Sequence, residues 1–241
     1  MHGMTDIHSH ILPGVDDGAK DLQEAARMCA LAAEEGIRTI VVTPHYHLGA
    51  QAADNSRRDH ALEMLEAEME RRGFHLQFYR GNEIYYSTQA IDDLKAGKAR
   101  TMGSSKYALI EFSPGAEYSY IRQGLNHVIQ EGYLPIVAHV ERYKAIIEDK
   151  SRIREITEMG SYIQINASGV MGMSGRKIKA FCKEILSEGL VHFIGTDAHD
   201  MNNRAPRLKK CADYIEKKFG AAYAKRLFID NPQKMLWDEY L

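Results

Sequence analysis

Short apolar, β-branched runs alternate with amphipathic stretches along the whole chain. The runs are five to eight residues long, a length typical of buried strands rather than of helices. Seven of them are predicted as strands: Asp6–His10, Arg38–Thr43, Leu76–Glu83, Tyr107–Phe112, Leu134–His139, Tyr162–Asn166 and His192–Thr196.

Between these runs, apolar residues recur at helical spacing. Leu22, Ala25, Ala26 and Cys29 stand at positions i, i+3, i+4 and i+7, which predicts the apolar face of a helix ending near Gly36. Comparable helices are predicted over Ser56–Arg72, Tyr118–Glu131, Ser151–Glu158, Arg176–Ser187 and Pro206–Phe219. Because strand and helix alternate about seven times, the pattern favours parallel strands with helices outside them.

The same alternation predicts one α/β domain spanning residues 1–241. The length would also allow two smaller domains, but no linker, low-complexity segment or repeat interrupts the pattern. Met1–Gly3 are interpreted as upstream residues, because the first strand follows them. Periodicity leaves an open doubly wound sheet and a closed barrel as alternatives, and the positions of the polar residues favour the barrel.

Composition excludes several classes of protein. With 31 Lys+Arg against 33 Asp+Glu, the formal net charge is −2, so no electrostatic attraction to nucleic acid is indicated. No apolar run approaches the ~18 residues of a membrane helix and no leader pattern is present, which predicts a cytoplasmic protein. Cys29, Cys182 and Cys211 are far apart in helical stretches, which predicts reduced core residues rather than disulfides or a thiolate zinc site.

Residue types that bind metals stand at the carboxyl end of nearly every predicted strand. The segments are Asp6-Ile7-His8-Ser9-His10, Thr43-Pro44-His45, Gly81-Asn82-Glu83, Ile110-Glu111-Phe112, Ala138-His139-Val140-Glu141-Arg142 and Gly195-Thr196-Asp197-Ala198-His199. In a parallel barrel these ends converge on one mouth, where such folds place their chemistry. His8 and His10 are two positions apart on a strand, so their side chains leave the same face.

Nine side chains are candidate metal ligands: His8, His10, Asp17, His45, Glu83, Glu111, His139, Asp197 and His199. Any one of these histidines alone is compatible with a structural role. Unpaired buried carboxylates, however, cost several kcal/mol apiece, and binding cations relieves that cost. Because a catalytic zinc takes three protein ligands, nine ligands predict two or three ions. Nitrogen and oxygen donors without thiolate suit Mn, Fe or Zn.

The segment from Asp6 to Gly18, together with the motifs around His45, Glu83, His139 and Asp197, resembles the polymerase-and-histidinol-phosphatase (PHP) superfamily. Within it, the motifs are similar to the CpsB/YwqE-type tyrosine phosphatases of capsule and exopolysaccharide operons. The resemblance spans Met4 to about Pro232. It implies a distorted TIM-like (β/α)7 barrel, a trinuclear centre that is commonly manganese, and hydrolysis of phosphotyrosine on a cognate tyrosine autokinase.

The resemblance also implies roles for individual residues. The implied ligand groups are His8, His10, Glu83 and Asp197 for one ion, Glu83, Glu111 and His139 for a second, and Asp17, His45 and His199 for a third. Arg142 and Arg204, in loops predicted at the same mouth, would bind phosphate, although a solvated surface position is the alternative.

Many superfamily relatives carry histidine where this chain has Asp17 and Glu111, and the carboxylates favour the tyrosine-phosphatase branch over histidinol phosphatase. The nearly neutral stretch 46–53 departs from the more basic segment of relatives, which leaves the preferred phosphoprotein open.

A centre of divalent ions keeps a net positive charge, so it is predicted to select phosphate esters. A metal-bridging water whose pKa falls toward ~7 is the predicted nucleophile, without a covalent phosphoenzyme. The thiolate mechanism needs arginine six residues after cysteine, and Glu35, Glu188 and Lys217 stand there instead. Two alternatives remain: a hydrolase of nucleic acid or of a small ester such as histidinol phosphate, and a binding module with structural metals.

For some polar residues near the predicted ligands, two interpretations remain open. Asp6 either orients a ligand imidazole or is structural, and Asp16 is assigned to the turn around Gly14 and Gly18. The pair Tyr85–Tyr86 either forms an aromatic rim or packs in the core. Five histidines do not match the ligand pattern: His47, His60, His75, His127 and His192.

Overall fold

A curled sheet of parallel strands forms the centre of the molecule. The structure, a computed structural model, describes residues 1–48 and 55–241. Its strands in these ranges are β1 (Met4–Ser9), β2 (Ile37–Val42), β3 (His45–Tyr46), β4 (Gln77–Arg80), β5 (Glu83–Tyr85), β6 (Tyr107–Glu111), β7 (Leu134–Val137), β8 (Tyr162–Asn166) and β9 (Phe193–Gly195).

These strands occupy seven positions around a distorted barrel. Strands β1, β2 and β4 form one sheet, and β3, β5, β6, β7, β8 and β9 form the other, with every pair parallel. Only two residues separate β2 from β3, and two separate β4 from β5, so each pair is one bent strand. A bridge between Ser9 and Ala198 joins the first strand to the last. The predicted single α/β domain with a barrel-like parallel sheet is therefore confirmed.

Helices cover the outside of the sheet. They are α1 (Leu22–Glu34), α2 (Asn55–Arg71), α3 (Thr88–Lys95), α4 (Tyr118–Gln130), α5 (Lys144–Glu148), α6 (Ser151–Glu158), α7 (Ala167–Met171), α8 (Arg176–Ser187), α9 (Lys209–Phe219), α10 (Ala221–Lys225) and α11 (Asn231–Leu236). Short 3₁₀ turns occur at Met102–Ser104 and Val140–Arg142, and a π turn at Arg226–Asp230 joins α10 to α11. No helix in the described ranges combines the length and apolar character needed to cross a membrane.

The predicted elements differ from the observed ones where side chains interrupt the backbone pattern. The strand predicted over Leu76–Glu83 is two strands, because the buried Asn82 side chain donates to Pro44 O at 2.9 Å and accepts from Arg100 N at 2.9 Å. The helix predicted from Pro206 begins only at Lys209. Helices α3, α5, α7, α10 and α11 were not predicted, since most are too short to show a clear apolar period.

The three cysteines lie in the core as predicted. Cys29, Cys182 and Cys211 are buried and free on α1, α8 and α9, and burial raises the pKa of each thiol well above its usual value. Thiols of this kind are protonated at neutral pH and act as small apolar residues.

The loop after β1 folds back onto its own strand. Ala19 N donates to His10 O at 3.0 Å, and Gly14 N, at a residue with a φ of +63°, donates to Ala19 O at 2.8 Å. A Cβ at Gly18 would lie 1.9 Å from the carbonyl oxygen of His10. Position 18 therefore requires glycine if the loop is to keep this path.

We expect Gly18→Ala to lower the free energy of unfolding by at least about 2 kcal/mol, because the clash is with backbone that cannot rotate away. That loss corresponds to a fall in melting temperature of roughly 4–8 °C for a domain of this size. Gly115→Ala is the control, since no described atom lies within 4 Å of its Cβ position. Equal melting temperatures for the two variants would contradict the close approach.

Candidate metal centre

The nine predicted ligand side chains lie together at the carboxyl ends of the strands. Strand register explains part of this, because His45 on β3 pairs with Glu83 on β5 in the ladder. Ligand atoms of three sets lie within 4.8 Å of one another: His10, Asp17, His45 and His199; His8, His10 and Asp197; and His8, Glu83 and His139. Glu111 joins a fourth set of this kind with His45 and His47. Residues separated by up to 191 positions thus form one continuous cluster.

Glu83 is the central residue of this cluster. Its carboxylate lies 2.7 Å from His139 Nε2 and 3.0 Å from His45 Nδ1. His8 Nε2 and His10 Nε2 are each 3.3 Å from it. Burial opposes ionisation of Glu83, but the surrounding imidazoles outweigh burial and hold its pKa well below the usual value.

Asp197 connects the cluster to two arginines. Its Oδ1 atom is 3.6 Å from His8 Nε2 and 3.5 Å from His10 Nε2, and accepts from Arg204 at 2.6 Å. Its Oδ2 atom accepts from Arg142 and, at 2.9 Å, from the amide of Asn166. Burial would raise the pKa of Asp197, but the nearby His8 and other positive groups lower it strongly.

The two remaining carboxylates lie at the edges of the cluster. Asp17 Oδ1 is 3.2 Å from His45 Nε2 and 3.4 Å from His199 Nε2, on a side chain that is 67% exposed. Glu111 Oε1 is 3.5 Å from His139 Nε2. Burial and the charge of Glu83 raise the pKa of Glu111 to about 7.

Hydrogen bonds fix the tautomers of three histidines. Gln164 Oε1 accepts from His139 N at 2.7 Å, so the amide oxygen faces inward and His8 Nδ1, 3.2 Å away, must donate to it. His10 Nδ1 lies 2.8 Å from the Asp16 carboxylate, and His199 Nδ1 lies 3.0 Å from the carbonyl oxygen of Asp197. In its neutral form, each ring would therefore present an Nε2 lone pair to the interior, as metal-bound histidines do.

The cluster consequently brings hydrogen-bond acceptors together with too few hydrogen-bond donors between them. His8 Nε2 and His10 Nε2 are only 3.2 Å apart. Among the described residues, Glu83 Oε2, His45 Nδ1 and His199 Nε2 have no hydrogen-bond partner of acceptable geometry. Burial disfavours charge on His10, but its contacts with Asp16 and Glu83 raise its pKa to about 10. Such a set attracts cations, and its imidazole and carboxylate donors fit divalent metal ions.

Two of the proposed ligands have left-handed backbones. His139 has a φ of +30° and Asp197 a φ of +53°, each just beyond the end of a strand. Non-glycine residues in this region cost of order 1–3 kcal/mol, and such strain clusters at functional sites. Here Gln164 accepts from the His139 backbone and Asp197 N donates to His8 O at 2.8 Å, so neighbouring strands hold both turns.

Several supporting residues were missed or only partly understood from sequence. Gln164 and Asn166 lie two apart on β8, and the Gln164 amide donates to Asn166 Oδ1 at 2.8 Å. A signal for them was available, since they are polar residues with strand spacing in an apolar run. Asp16 forms the predicted turn by accepting from Gly18 N at 3.0 Å, but it also orients His10. Asp6 has the structural role, because its carboxylate accepts from Thr196 N at 3.0 Å and from the backbone His8 N at 3.3 Å.

Aromatic residues near the mouth divide into rim and core. Tyr85 is 37% exposed and stacks on His47 at a centroid distance of 5.0 Å, whereas Tyr86 packs against Phe112. Tyr46 is buried and donates to Asp93 at 2.8 Å, so it does not face a substrate. Of the nearly neutral stretch after His45, residues 49–53 lie outside the described residues.

A cavity of about 530 Å³ opens beside the cluster. Arg142, Thr196, Asp197 and Arg204 line its inner end. Both predicted phosphate-binding arginines are therefore next to the cluster, and the structure directs both at Asp197.

Fold and site together define a parallel α/β barrel with a buried histidine and carboxylate cluster at the strand ends. The family model described as "Capsular polysaccharide synthesis, CpsB/CapC" matches residues 4–237. The tyrosine-protein phosphatase CpsB of Streptococcus pneumoniae is 36% identical over 99% of this chain and all of its own length. The tyrosine-protein phosphatase YwqE of Bacillus subtilis is 32% identical over 90% of this chain and 86% of its own. The chain belongs to the CpsB/CapC family.

Solved structures agree with this membership. One described as YwqE from B. subtilis and CpsB from S. pneumoniae, "unique metal-dependent tyrosine phosphatases", superposes with a TM-score of 0.91 at 30% identity, covering 99% of this chain and 96% of that one. The phosphotriesterase of Mycobacterium tuberculosis superposes with a TM-score of 0.63 at 14% identity over 99% of this chain and 95% of its own. At that identity the likeness concerns the barrel fold alone.

We expect Gln164→Leu to lower the free energy of unfolding, measured by urea denaturation in chelator, by at least about 2 kcal/mol. The change leaves the buried His139 N–H and the His8 Nδ1–H without an acceptor, and each unsatisfied donor costs ~1–3 kcal/mol. Gln77→Leu on β4 is the matched control, because Gln77 is exposed. A loss no greater than in the control would show that Gln164 does not hold the cluster.

Proposed function

We propose that this chain is a metal-dependent protein-tyrosine phosphatase whose catalytic domain is residues 1–241. The observation that carries the proposal is the buried Glu83 carboxylate within 3.3 Å of four imidazole nitrogens, beside two arginines that face the same cluster. Membership of the CpsB/CapC family supports it, because relatives sharing 32–36% of their residues with this chain are named tyrosine-protein phosphatases.

The proposed ligands of three divalent ions are His8, His10, Asp17, His45, Glu83, Glu111, His139, Asp197 and His199. Manganese is the proposed ion, and the donor set also accepts iron or zinc. When bound, such ions supply Lewis acidity and a hydroxide from water near neutral pH. The four carboxylates among the ligands contribute −4 against +6 from the ions, so the centre keeps a positive charge that suits a phosphate monoester.

Arg142 and Arg204 are the proposed phosphate-binding residues. Their side chains are 39% and 37% exposed, so each guanidinium can contact substrate while it remains next to Asp197. A planar guanidinium can donate two parallel hydrogen bonds to a phosphoryl group and orient it in the mouth. The leaving phenolate of phosphotyrosine has a parent pKa near ~10, so the residues of the site need not supply an efficient general acid.

The proposed substrate is a phosphotyrosine protein, specifically a cognate bacterial tyrosine autokinase of polysaccharide synthesis, and the proposed location is the cytoplasm. The description of the family as one of capsular polysaccharide synthesis supports this assignment. The buried, free cysteines are compatible with a reducing compartment. A net charge of −2 argues against nucleic acid as the substrate.

We expect purified protein with Mn²⁺ to hydrolyse p-nitrophenyl phosphate and phosphotyrosine peptide, and to lose this activity in chelator. Elemental analysis of freshly purified protein should find metal, and Glu83→Gln should lose most of it because the carboxylate contacts four imidazoles. Histidinol phosphate and single-stranded DNA are the comparison substrates.

Turnover of only the comparison substrates would overturn the tyrosine assignment. Full metal occupancy without turnover of any substrate would favour a binding module with structural metals. Activity that survives complete removal of metal would contradict the proposed centre itself.

We expect Arg142→Ala and Arg204→Ala each to lower kcat/KM for phosphotyrosine peptide by at least ~10-fold, or about 1.4 kcal/mol of transition-state stabilisation. The reason is that each removes a charged donor for the phosphoryl oxygens. Arg154→Ala is the control, because Arg154 pairs with Glu188 on the outer surface. Metal content is measured in parallel, and unchanged kinetics would return both arginines to the solvated surface.

A further inference from the structure

The 530 Å³ cavity extends well beyond the two arginines at the metal cluster. The exposed part of its lining, called its outer end here, includes Arg207, two residues before α9, Lys210 in the first turn of α9, and Asn202, Asn203 and Met173. The volume falls within the roughly 300–1,000 Å³ of sites that enclose a drug-sized ligand, so it holds more than one phosphoryl group.

The lining of this cavity is strongly basic, although the chain as a whole is slightly acidic. The described lining residues include four cations, Arg142, Arg204, Arg207 and Lys210, and a single carboxylate, Asp197. Asp197 contacts Arg142 and Arg204, and no ion pair joins it to Arg207 or Lys210 within the described residues. Walls that carry one sign of charge concentrate oppositely charged ligands.

Neighbouring acidic residues neutralise only part of the charge at the outer end. Arg207 is 3.8 Å from Glu35, whose other oxygen accepts from Lys209 N at 2.8 Å. Lys209 pairs with Asp213 at 2.9 Å, but no ion pair of Lys210 is found within the described residues. Lys210 also lies in the first turn of α9, where the helix dipole disfavours a cation. This position carries a stability cost that an anionic ligand would relieve.

We propose that the Arg207–Lys210 end of the cavity binds acidic side chains next to the phosphotyrosine of the substrate protein. The proposal rests on the proposed function and adds a sequence preference to it. With the phosphoryl group at Arg142 and Arg204, the peptide on one side of the tyrosine runs past Asn202 and Asn203. Its Asp or Glu carboxylates then reach Arg207 and Lys210, where the amides supply further hydrogen bonds.

The test compares three phosphotyrosine peptides that differ only in the two residues on each side of the tyrosine, which are Asp, Gln or Lys. The Mn²⁺-loaded chain should give kcat/KM values about 5-fold higher for the Asp peptide than for the Gln peptide, and lower still for the Lys peptide. Exposed ion pairs change an equilibrium by up to about this factor. The ratio should fall as salt rises from 0.05 to 1 M, because the Debye length shrinks to about 3 Å.

The double variant Arg207→Gln/Lys210→Gln locates the preference. We expect the Asp-to-Gln ratio to fall close to 1, and because the ratio is internal to each protein, losses of folding or metal cancel. Lys217→Gln/Lys218→Gln, in the exposed last turn of α9, is the matched control and should keep the ratio of the unmodified chain.

Equal turnover of the three peptides would overturn the acidic subsite and leave the phosphatase assignment standing. A preference for Asp that persists in the Arg207→Gln/Lys210→Gln variant would overturn its placement in this cavity. Failure to hydrolyse any of the peptides would overturn the proposed function, and the subsite with it.

Discussion

The structure depends on concentrating negative charge and nitrogen lone pairs in a largely buried volume. Glu83 is 1% exposed and His8 and His10 are fully buried, yet their acceptor atoms lie about one hydrogen-bond length apart. A buried acceptor facing another acceptor is destabilising unless a cation or a proton lies between them. The raised pKa of His10 shows that a proton can meet this need for positive charge. The imidazole and carboxylate donors are also suited to bind divalent metal ions, which would meet the same need.

The barrel brings the histidines and carboxylates together because the carboxyl ends of its parallel strands all lie on one side. Strand pairing places His45 beside Glu83. Two hydrogen bonds of 2.8 Å, from His10 N to Ala198 O and from Asp197 N to His8 O, connect the first strand to the segment after the last strand. Two other ligand positions, His139 and Asp197, require a backbone conformation that regular strands do not adopt. His139 and Asp197 therefore adopt left-handed conformations, stabilised by bonds to β8 and β1.

Sequence reasoning succeeded where residue type and strand period coincided. His8 and His10 could be assigned to one face, and β8, α6 and α8 have the predicted bounds, because two-residue and 3.6-residue periods are local properties. The bent strand at Asn82 could not be predicted, since its amide bonds to Pro44 and Arg100, which are remote in sequence. For the same reason the role of Gln164 became visible only once His8 and His139 were placed on either side of it.

Asp197 connects three groups of side chains that are far apart in the sequence. It contacts the imidazoles of the cluster, the two arginines of the mouth, and the Asn166 amide that continues to Gln164. Cations bound at the cluster would compete with the guanidiniums for the same two oxygens, since all are attracted to one carboxylate. Ion binding would therefore weaken the contacts of Asp197 with Arg142 and Arg204 and leave more of their charge for an incoming anion. We expect the affinity of the mouth for phosphate to rise with the occupancy of the centre, and by linkage phosphate to tighten the binding of the ions.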